Sequence, residues 1–261
     1  MLRFGLIGYG AIGRLLVEEV LAGKAGDVEL AAVLLRPGRE EARLPVVHTV
    51  KELRAAGATV VVEAAGEEAV AAYGLEILTS GIELAIASAG ALSQPELIHQ
   101  LQGAAREAGS RLVLPAGAIG AIDALSSMRL AGLRSVLYRG IKPPSAWAGS
   151  RAAELCDLNR LEVREQFFHG TAREAAAAFP KNANVAAIVG LAGLGLDETC
   201  VELVADPHVA GNRHEIEADG ATGRFRYCVE GHPSKDNPRT SLLTVYSLLR
   251  YLANREAAIV I

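Results

Sequence analysis

Short apolar runs alternate with segments of helical periodicity over the first 115 residues. Near-continuous apolar runs of this length are typical of strands that are buried on both faces of a parallel sheet. They occur at residues 2–7, 28–35, 58–63, 83–88 and 111–114. Because strands joined by short helical connections require right-handed crossovers, the pattern predicts an α/β fold, a doubly wound parallel sheet with helices on both faces.

Two of the intervening helices carry start signals. Thr49 and Glu52 have the spacing of a capping box, and Ser93 is predicted to cap the helix that includes Pro95 and Glu96. Both helices are therefore expected to begin at these residues, on the connections between consecutive strands.

The pattern changes beyond residue 115. Several later segments alternate apolar with polar residues, which indicates one covered and one solvated face and favours an antiparallel sheet. Strands are predicted at 134–142, 160–168, 200–206, 214–218 and 223–230, with an apolar helix at 184–195. A last helix, from Thr240, is predicted to return to the first domain. We therefore predict a first domain of residues 1–118 with 238–261, and an α+β second domain of residues 119–237.

A glycine-rich turn, Gly8-x-Gly10-x-x-Gly13, joins the first apolar run to the first helix. In dinucleotide-binding turns the first glycine permits a tight turn, the second lets the backbone approach a pyrophosphate, and the third lets helix and strand pack closely. The N–H groups at the helix start, around Ala11 and Ile12, then face the phosphates. Since strand, spacing and helix occur in the required order, the motif predicts a Rossmann-type dinucleotide-binding domain.

Ligands of doubly wound sheets bind outside the carboxyl ends of the strands. The chain offers polar or glycine-rich corners at these ends, and its candidate cofactor contacts there are Gly8, Gly10, Ala11, Ile12, Gly13, Arg36, Ala65, Gly66 and Ser88. Arg36 stands where NAD-binding proteins carry an acid, and an arginine there accommodates a 2′-phosphate. The sequence thus predicts that NADP is usable alongside NAD, unless Arg36 is only a solvated loop charge.

Composition narrows the class of protein. A net charge of −4 provides no broad basic field for nucleic acid or an anionic membrane, and no apolar run is long enough to span a bilayer. The first strand begins directly after Met1, so no signal peptide is expected. Three cysteines without CxxC spacing favour a reducing compartment, and no cluster of residues has metal-ligand spacing. We expect a cytoplasmic enzyme without a metal site.

His214 is the strongest candidate for proton transfer among the histidines, since imidazole titrates near neutral pH. It begins an alternating strand, where a side chain can face a cleft, and His169 is a weaker candidate. Lys181, Asn182 and Asn184 open an apolar helix, where one asparagine can cap the helix and both can contact nicotinamide or substrate. Arg239 and Thr240, at the last helix start, offer groups for a carboxylate.

Longer segments make a family recognisable. The runs at 114–125, 180–187, 191–197 and 237–247 resemble the L-aspartate dehydrogenase family, and the resemblance extends over nearly the whole chain. It implies NAD- or NADP-linked deamination of L-aspartate to iminoaspartate, a precursor for pyridine-nucleotide synthesis, with reductive amination of oxaloacetate by ammonia as the reverse. It also implies that His214 matches the active-site histidine, that Ala118 and Asn184 match cofactor contacts, and that the protein is a homodimer through its second domain.

The implied reaction assigns roles to charged residues. Hydride leaves the substrate Cα as the amine becomes an imine, and His214 would accept the ammonium proton. The two substrate carboxylates need cationic partners, for which Lys142, Lys181 and Arg239 are candidates. Two alternatives stay open: another NAD(P)H reductase of small substrates, similar to dihydrodipicolinate reductase, and a non-catalytic NAD(P)-sensing module.

Overall fold

The computed structural model describes residues 1–39, 41, 43–180, 184–231 and 241–260. The chain divides into two compact units, Met1–Gly117 with Thr244–Ile261, and Ala118–Leu243. The roles assigned from sequence to residues 1–118 with 238–261 and to residues 119–237 stay a prediction.

The first unit contains a parallel sheet. Its strands in the described residues are β1 (Leu2–Ile7), β2 (Val28–Leu34), β3 (Val46–Val47), β4 (Val60–Glu63), β5 (Glu83–Ile86) and β6 (Leu112–Val113). They pair in the order β3-β2-β1-β4-β5-β6, and each ladder is parallel. The predicted parallel sheet is therefore confirmed. Strand β3 was missed because two residues at a sheet edge leave no periodic signal.

Helices connect these strands: α1 (Ala11–Leu21), α2 (Val50–Ala55), α3 (Glu67–Thr79) and α4 (Pro95–Ala108). The capping box of Thr49 and Glu52 is present at the start of α2. The cap predicted for Ser93 is wrong, because Ala89–Ser93 forms a 3₁₀ turn and the residue before α4 is Gln94. Pro95 at the first helical position, with its fixed φ, sets the start of this helix instead.

The second unit contains a mixed sheet. Its strands in the described residues are β7 (Leu133–Lys142), β8 (Glu165–Thr171), β9 (Cys200–Ala205), β10 (Asn212–Gly220) and β11 (Gly223–Gly231), in the order β11-β10-β7-β9-β8. The expected antiparallel arrangement is wrong for the central pair, because β7 and β9 are parallel. Residues 201 and 203–205 are all buried, a pattern of central parallel strands rather than of alternating ones. The strand expected from residue 160 begins only at Glu165.

The helices of this unit are α5 (Ile122–Ala131), α6 (Pro144–Trp147), α7 (Ala152–Leu155), α8 (Ala172–Ala178) and α9 (Asn184–Ala192). Helices α5, α8 and α9 pack against strands of the sheet, and Trp147 of α6 donates a hydrogen bond to the carbonyl of Val204 in β9. Helix α9 ends before the predicted residue 195, since Gly195 has a φ of +97° that an α-helix cannot contain.

The last helix, α10 (Leu242–Asn254), belongs to the first unit from Thr244 onward. Its buried residues Val245, Leu248, Leu249 and Leu252 share a core with Phe4 of β1 and Leu16 of α1. The predicted return of the chain to the first domain is therefore confirmed, although Thr240 itself lies outside the described residues. Across the described ranges, no helix has the length and apolar character needed to cross a membrane.

Candidate active site

The glycine turn at the end of β1 is shaped by steric limits at two of its three glycines. Gly8 has a φ of +87°, and a Cβ there would lie 2.6 Å from the Cβ of Ala65. A Cβ at Gly13 would lie 2.5 Å from the carbonyl oxygen of Gly8, so this glycine lets α1 approach β1. Both positions therefore exclude any larger residue, as the predicted motif requires.

Gly10 differs from Gly8 and Gly13 because the space beside it is open: apart from its two chain neighbours, no described residue has an atom within 4 Å of the position that a Cβ would take. It is the residue before α1, and no described side chain caps the helix there. The N–H groups of the first helical turn, which begins with Ala11 and Ile12, are thus available to an anion. These features fit the pyrophosphate of a dinucleotide.

A cavity of about 320 Å³ opens beside this turn. Its lining includes Gly8, Gly10, Arg36 and Arg39, together with Tyr73 of α3. Arg36 and Arg39 are exposed, follow β2 directly and have no ion pair in the described part of the chain. The side of the cavity that follows β2 is therefore positively charged, at the position where NAD-binding proteins carry an acidic residue.

Glu63, at the end of β4, is a residue of this region that the sequence reasoning missed. Its buried carboxylate accepts hydrogen bonds from the N–H groups of Ala65 and Gly66 at 2.6 and 2.7 Å, and from the N–H and hydroxyl of Ser88 at 3.1 and 3.0 Å. Burial raises the pKa of Glu63, and these four donors oppose that rise. The groups predicted to contact the cofactor at Ala65, Gly66 and Ser88 thus bind Glu63, which ties together the ends of β4 and β5.

In the second unit, three polar side chains are buried on one face of the sheet. Tyr138 and Lys142 lie on the same face of β7, on either side of Gly140, and His214 lies on β10 opposite Gly140. The relative exposures of the three residues are 1%, 5% and 2%. The hydroxyl of Tyr138 is 2.8 Å from Nδ1 of His214, whereas Nε2 of His214 is buried without a hydrogen-bond partner among the described residues.

Burial sets the charge states of this cluster. It lowers the pKa of His214 to about 3, with a further contribution from the positive charge of Lys142, and it lowers the pKa of Lys142 to about 8. Burial also raises the pKa of Tyr138 far above its usual value. At neutral pH the cluster therefore contains a neutral phenol, a neutral imidazole and a lysine that is still mostly protonated.

Aromatic residues hold Lys142 in place. Its Nζ lies 4.8 Å from the ring centre of Trp147, in cation–π geometry. The indole N–H of Trp147 donates to the carbonyl of Val204 at 3.0 Å, and the ring packs edge-on against Phe167. The ammonium group is thus fixed beside the imidazole rather than extended into solvent.

Several other sequence candidates lie elsewhere or cannot be placed. Ala118 lies half-buried between β6 and α5, and Asn184 is the half-buried first residue of α9. Lys181, Asn182, Arg239 and Thr240 lie outside the described residues. His169 is exposed beside Cys200 and Glu202. The described residues contain no group of side chains suited to a metal ion, and all three cysteines are free.

Two family models together span most of the chain. Residues 8–115 match the model described as homoserine dehydrogenase, NAD binding domain, and residues 123–255 match aspartate dehydrogenase, C-terminal. An L-aspartate dehydrogenase of Pseudomonas aeruginosa is 45% identical, with 99% of both chains covered. One of Ruegeria pomeroyi is also 45% identical, covering 98% of this chain and 94% of the relative. The chain belongs to the L-aspartate dehydrogenase family.

Solved structures agree with membership of the L-aspartate dehydrogenase family. The aspartate dehydrogenase of Thermotoga maritima has a TM-score of 0.82 and 29% identity, with 100% of this chain and 99% of that chain covered. A dihydrodipicolinate reductase of Paenisporosarcina reaches a TM-score of only 0.55 at 15% identity. The latter likeness is one of fold alone, so the reductase alternative gains no functional support from it.

Proposed function

We propose that this member of the L-aspartate dehydrogenase family oxidises L-aspartate to iminoaspartate with NAD or NADP, and in reverse aminates oxaloacetate with ammonia. The observation that carries the proposal is the buried His214 beside Lys142, inside the segment that matches the C-terminal aspartate dehydrogenase model. A buried imidazole next to a cation suits a substrate that carries both carboxylates and a reacting nitrogen.

The cofactor would be held by the first unit. Gly8 and Gly13 let the turn and α1 pack closely, Gly10 leaves open space for the pyrophosphate, and Arg36 and Arg39 provide charge for a 2′-phosphate. When bound, the nicotinamide ring supplies the acceptor for the hydride that leaves Cα of aspartate. Glu63 would act indirectly, by fixing the corners at Gly66 and Ser88.

The substrate would be held by the second unit. We propose that Lys142 binds a substrate carboxylate, because its ammonium is fixed by Trp147 and is charged below pH 8. His214 would contact the reacting group through Nε2, since Nδ1 is occupied by Tyr138. Ala118 and Asn184 are proposed as cofactor contacts, and Lys181, Asn182, Arg239 and Thr240 as further substrate contacts.

We also propose that the protein works in the cytoplasm as a homodimer and that its product feeds pyridine-nucleotide synthesis. These statements are supported by the likeness to relatives named L-aspartate dehydrogenase over almost their whole length. Sedimentation of the purified protein would test the dimer.

The activity is tested by following NADH and NADPH oxidation with oxaloacetate, with and without ammonia. We expect turnover only when both substrates are present, because reductive amination consumes both. Oxidation of the cofactor by oxaloacetate alone would indicate a simple ketone reductase. Tight cofactor binding without any turnover, on aspartate or on oxaloacetate with ammonia, would indicate a sensing module.

A further inference from the structure

Tyr138 and His214 form a closed hydrogen-bonded pair inside the second sheet. Because His214 pairs with Gly140 in the β7–β10 ladder, Tyr138 lies two residues away along β7 on the same face. Gly140 makes the contact possible: a Cβ there would lie 2.8 Å from the Tyr138 hydroxyl oxygen and 3.3 Å from Leu203. The glycine thus leaves the space through which the phenol reaches Nδ1 of His214, 2.8 Å away.

The direction of this hydrogen bond follows from counting donors and acceptors. A phenol has one proton, and a neutral imidazole has one N–H and one lone pair. In the described part of the chain, Nδ1 of His214 is the acceptor within reach of the Tyr138 hydroxyl. If Nδ1 carried the imidazole proton, the buried hydroxyl proton would have no acceptor there, which is as unfavourable as a lost hydrogen bond. The hydroxyl therefore donates to Nδ1.

We propose that Tyr138 holds His214 in the tautomer with its proton on Nε2, so that the imidazole serves as a neutral hydrogen-bond donor to the substrate. The proposal rests on the proposed function and refines the role of His214. In the aminating direction, the Nε2–H group would donate to the carbonyl oxygen of the 2-oxo acid and increase the positive character of its carbon. The imidazole itself neither gains nor loses a proton.

Three features of the site favour a donor over a proton carrier. Nε2 is buried and has no partner among the described residues, so it is available to a ligand. Burial and the charge of Lys142 lower the pKa of His214 to about 3, which keeps the imidazole neutral. An N–H donor that is fixed before substrate binds requires no reorganisation during the reaction. Tyr138 is in this scheme a positioning residue.

The tautomer can be measured directly by nitrogen NMR of the full-length protein with ¹⁵N-labelled histidine. We expect the His214 signals to show a protonated Nε2 and an unprotonated Nδ1. In Tyr138→Phe, which removes the donor, the form with a proton on Nδ1 should become populated. Gly140→Ala, which keeps the hydroxyl but crowds it, should shift the tautomers in the same direction. A protonated Nδ1 in the unaltered protein would overturn the proposal, whether or not the protein turns over aspartate.

Activity provides the second readout. Tyr138→Phe should lower kcat about 3- to 10-fold, the effect of one net hydrogen bond, with little change in KM for aspartate. The matched control is Tyr251→Phe, which removes a tyrosine hydroxyl bonded to Glu83 in the first unit and should leave kcat unchanged. A loss of kcat in the control equal to that in Tyr138→Phe would mean that the effect is one of general destabilisation, against the proposal.

The donor role is separated from proton transfer by comparing His214→Gln with His214→Ala. A glutamine amide can donate a hydrogen bond near the position of Nε2 but cannot carry a proton at neutral pH. If His214 is a donor, His214→Gln should retain a kcat about tenfold above that of His214→Ala, because the amide restores part of the hydrogen bonding that His214→Ala loses. Equal losses in the two variants, together with the expected tautomer, would show that His214 carries a proton and would overturn the donor role. Absence of aspartate turnover in the unaltered protein would contradict the proposed function and leave the tautomer assignment intact.

Discussion

Lys142 lies close enough to His214 for its positive charge to lower the pKa of the imidazole, and both side chains are buried on one face of the second sheet. Because burial disfavours the charged form of both side chains, their titration also changes the free energy of unfolding. Lys142 carries its proton in the folded protein only up to about pH 8, whereas in the unfolded chain it keeps the proton to about pH 10.5. The folded and unfolded states thus bind different numbers of protons between these two values.

Replacing Lys142 by Met should change the pH dependence of stability. In the unaltered protein the free energy of unfolding should rise between pH 8 and pH 10, since the folded state releases its proton first. The contribution of one group is at most about 1.4 kcal/mol per pH unit. Lys142→Met should lack this rise and be more stable than the unaltered protein below pH 8. Urea denaturation of both proteins at several pH values measures this free energy of unfolding.

The control is Lys51→Met, on the exposed surface of α2. Its free energy of unfolding should still rise between pH 8 and pH 10. An identical pH dependence in Lys142→Met and the unaltered protein would show that the buried ammonium is not the titrating group.

Replacing Glu63 by Gln should destabilise the first unit. The carboxylate accepts four hydrogen bonds, and a glutamine would place an NH₂ group against at least one of the same donors. Loss of one buried hydrogen bond, with a donor left unsatisfied, costs about 1–3 kcal/mol. We expect a lower Tm and weaker NADH binding, since the corners at Gly66 and Ser88 lose their common anchor. Glu107→Gln, exposed on α4, is the control.

A Glu63→Gln variant as stable as the unaltered protein would mean that Glu63 is protonated in the fold, because a neutral carboxylic acid is the group that glutamine replaces at least cost.

The first unit was predictable because its signals are local. Strand, glycine turn and helix follow one another directly, and the steric limits at Gly8 and Gly13 agree with the roles that the motif gives them. Glu63 was not predictable in the same way. Its role depends on donors from Ala65 and Gly66 next to it but also from Ser88, just beyond the end of the neighbouring strand β5, which only the folded sheet brings within reach.

In the second unit, local sequence patterns predicted strands but not how the strands pair. Alternating polarity located β7 and β10, yet it also suggested an antiparallel sheet, and the β7–β9 pair is parallel. His214 was selected as an imidazole at a strand start. Tyr138 was overlooked, because a tyrosine on an alternating strand has the pattern of an ordinary core residue, and its contact with Nδ1 depends on the register between two strands.

Replacing Arg36 by Ala should weaken NADPH binding more than NADH binding. Arg36 lines the cavity beside the glycine turn and carries no ion pair in the described part of the chain. A charged hydrogen bond to phosphate is worth about 1.5–3 kcal/mol, so the Kd for NADPH should rise about tenfold or more. The Kd for NADH should change much less. Equilibrium titration of both cofactors measures the ratio.

Arg106→Ala, at an exposed position of α4, is the matched loss of charge and should affect both cofactors equally little. Equal weakening of NADH and NADPH in Arg36→Ala would show that Arg36 does not contact a 2′-phosphate.

The most direct test of aspartate chemistry in the second unit is the kcat of His214→Ala for L-aspartate, measured together with the Kd for NADH. Loss of the group at the reacting centre should lower kcat by about 100-fold or more, whether the imidazole donates a hydrogen bond or transfers a proton. The Kd for NADH should stay nearly the same, since His214 is not among the proposed cofactor contacts, and exposed His99→Ala should behave as the unaltered protein. A His214→Ala protein that is folded and turns over L-aspartate at a nearly unchanged kcat would contradict the assignment.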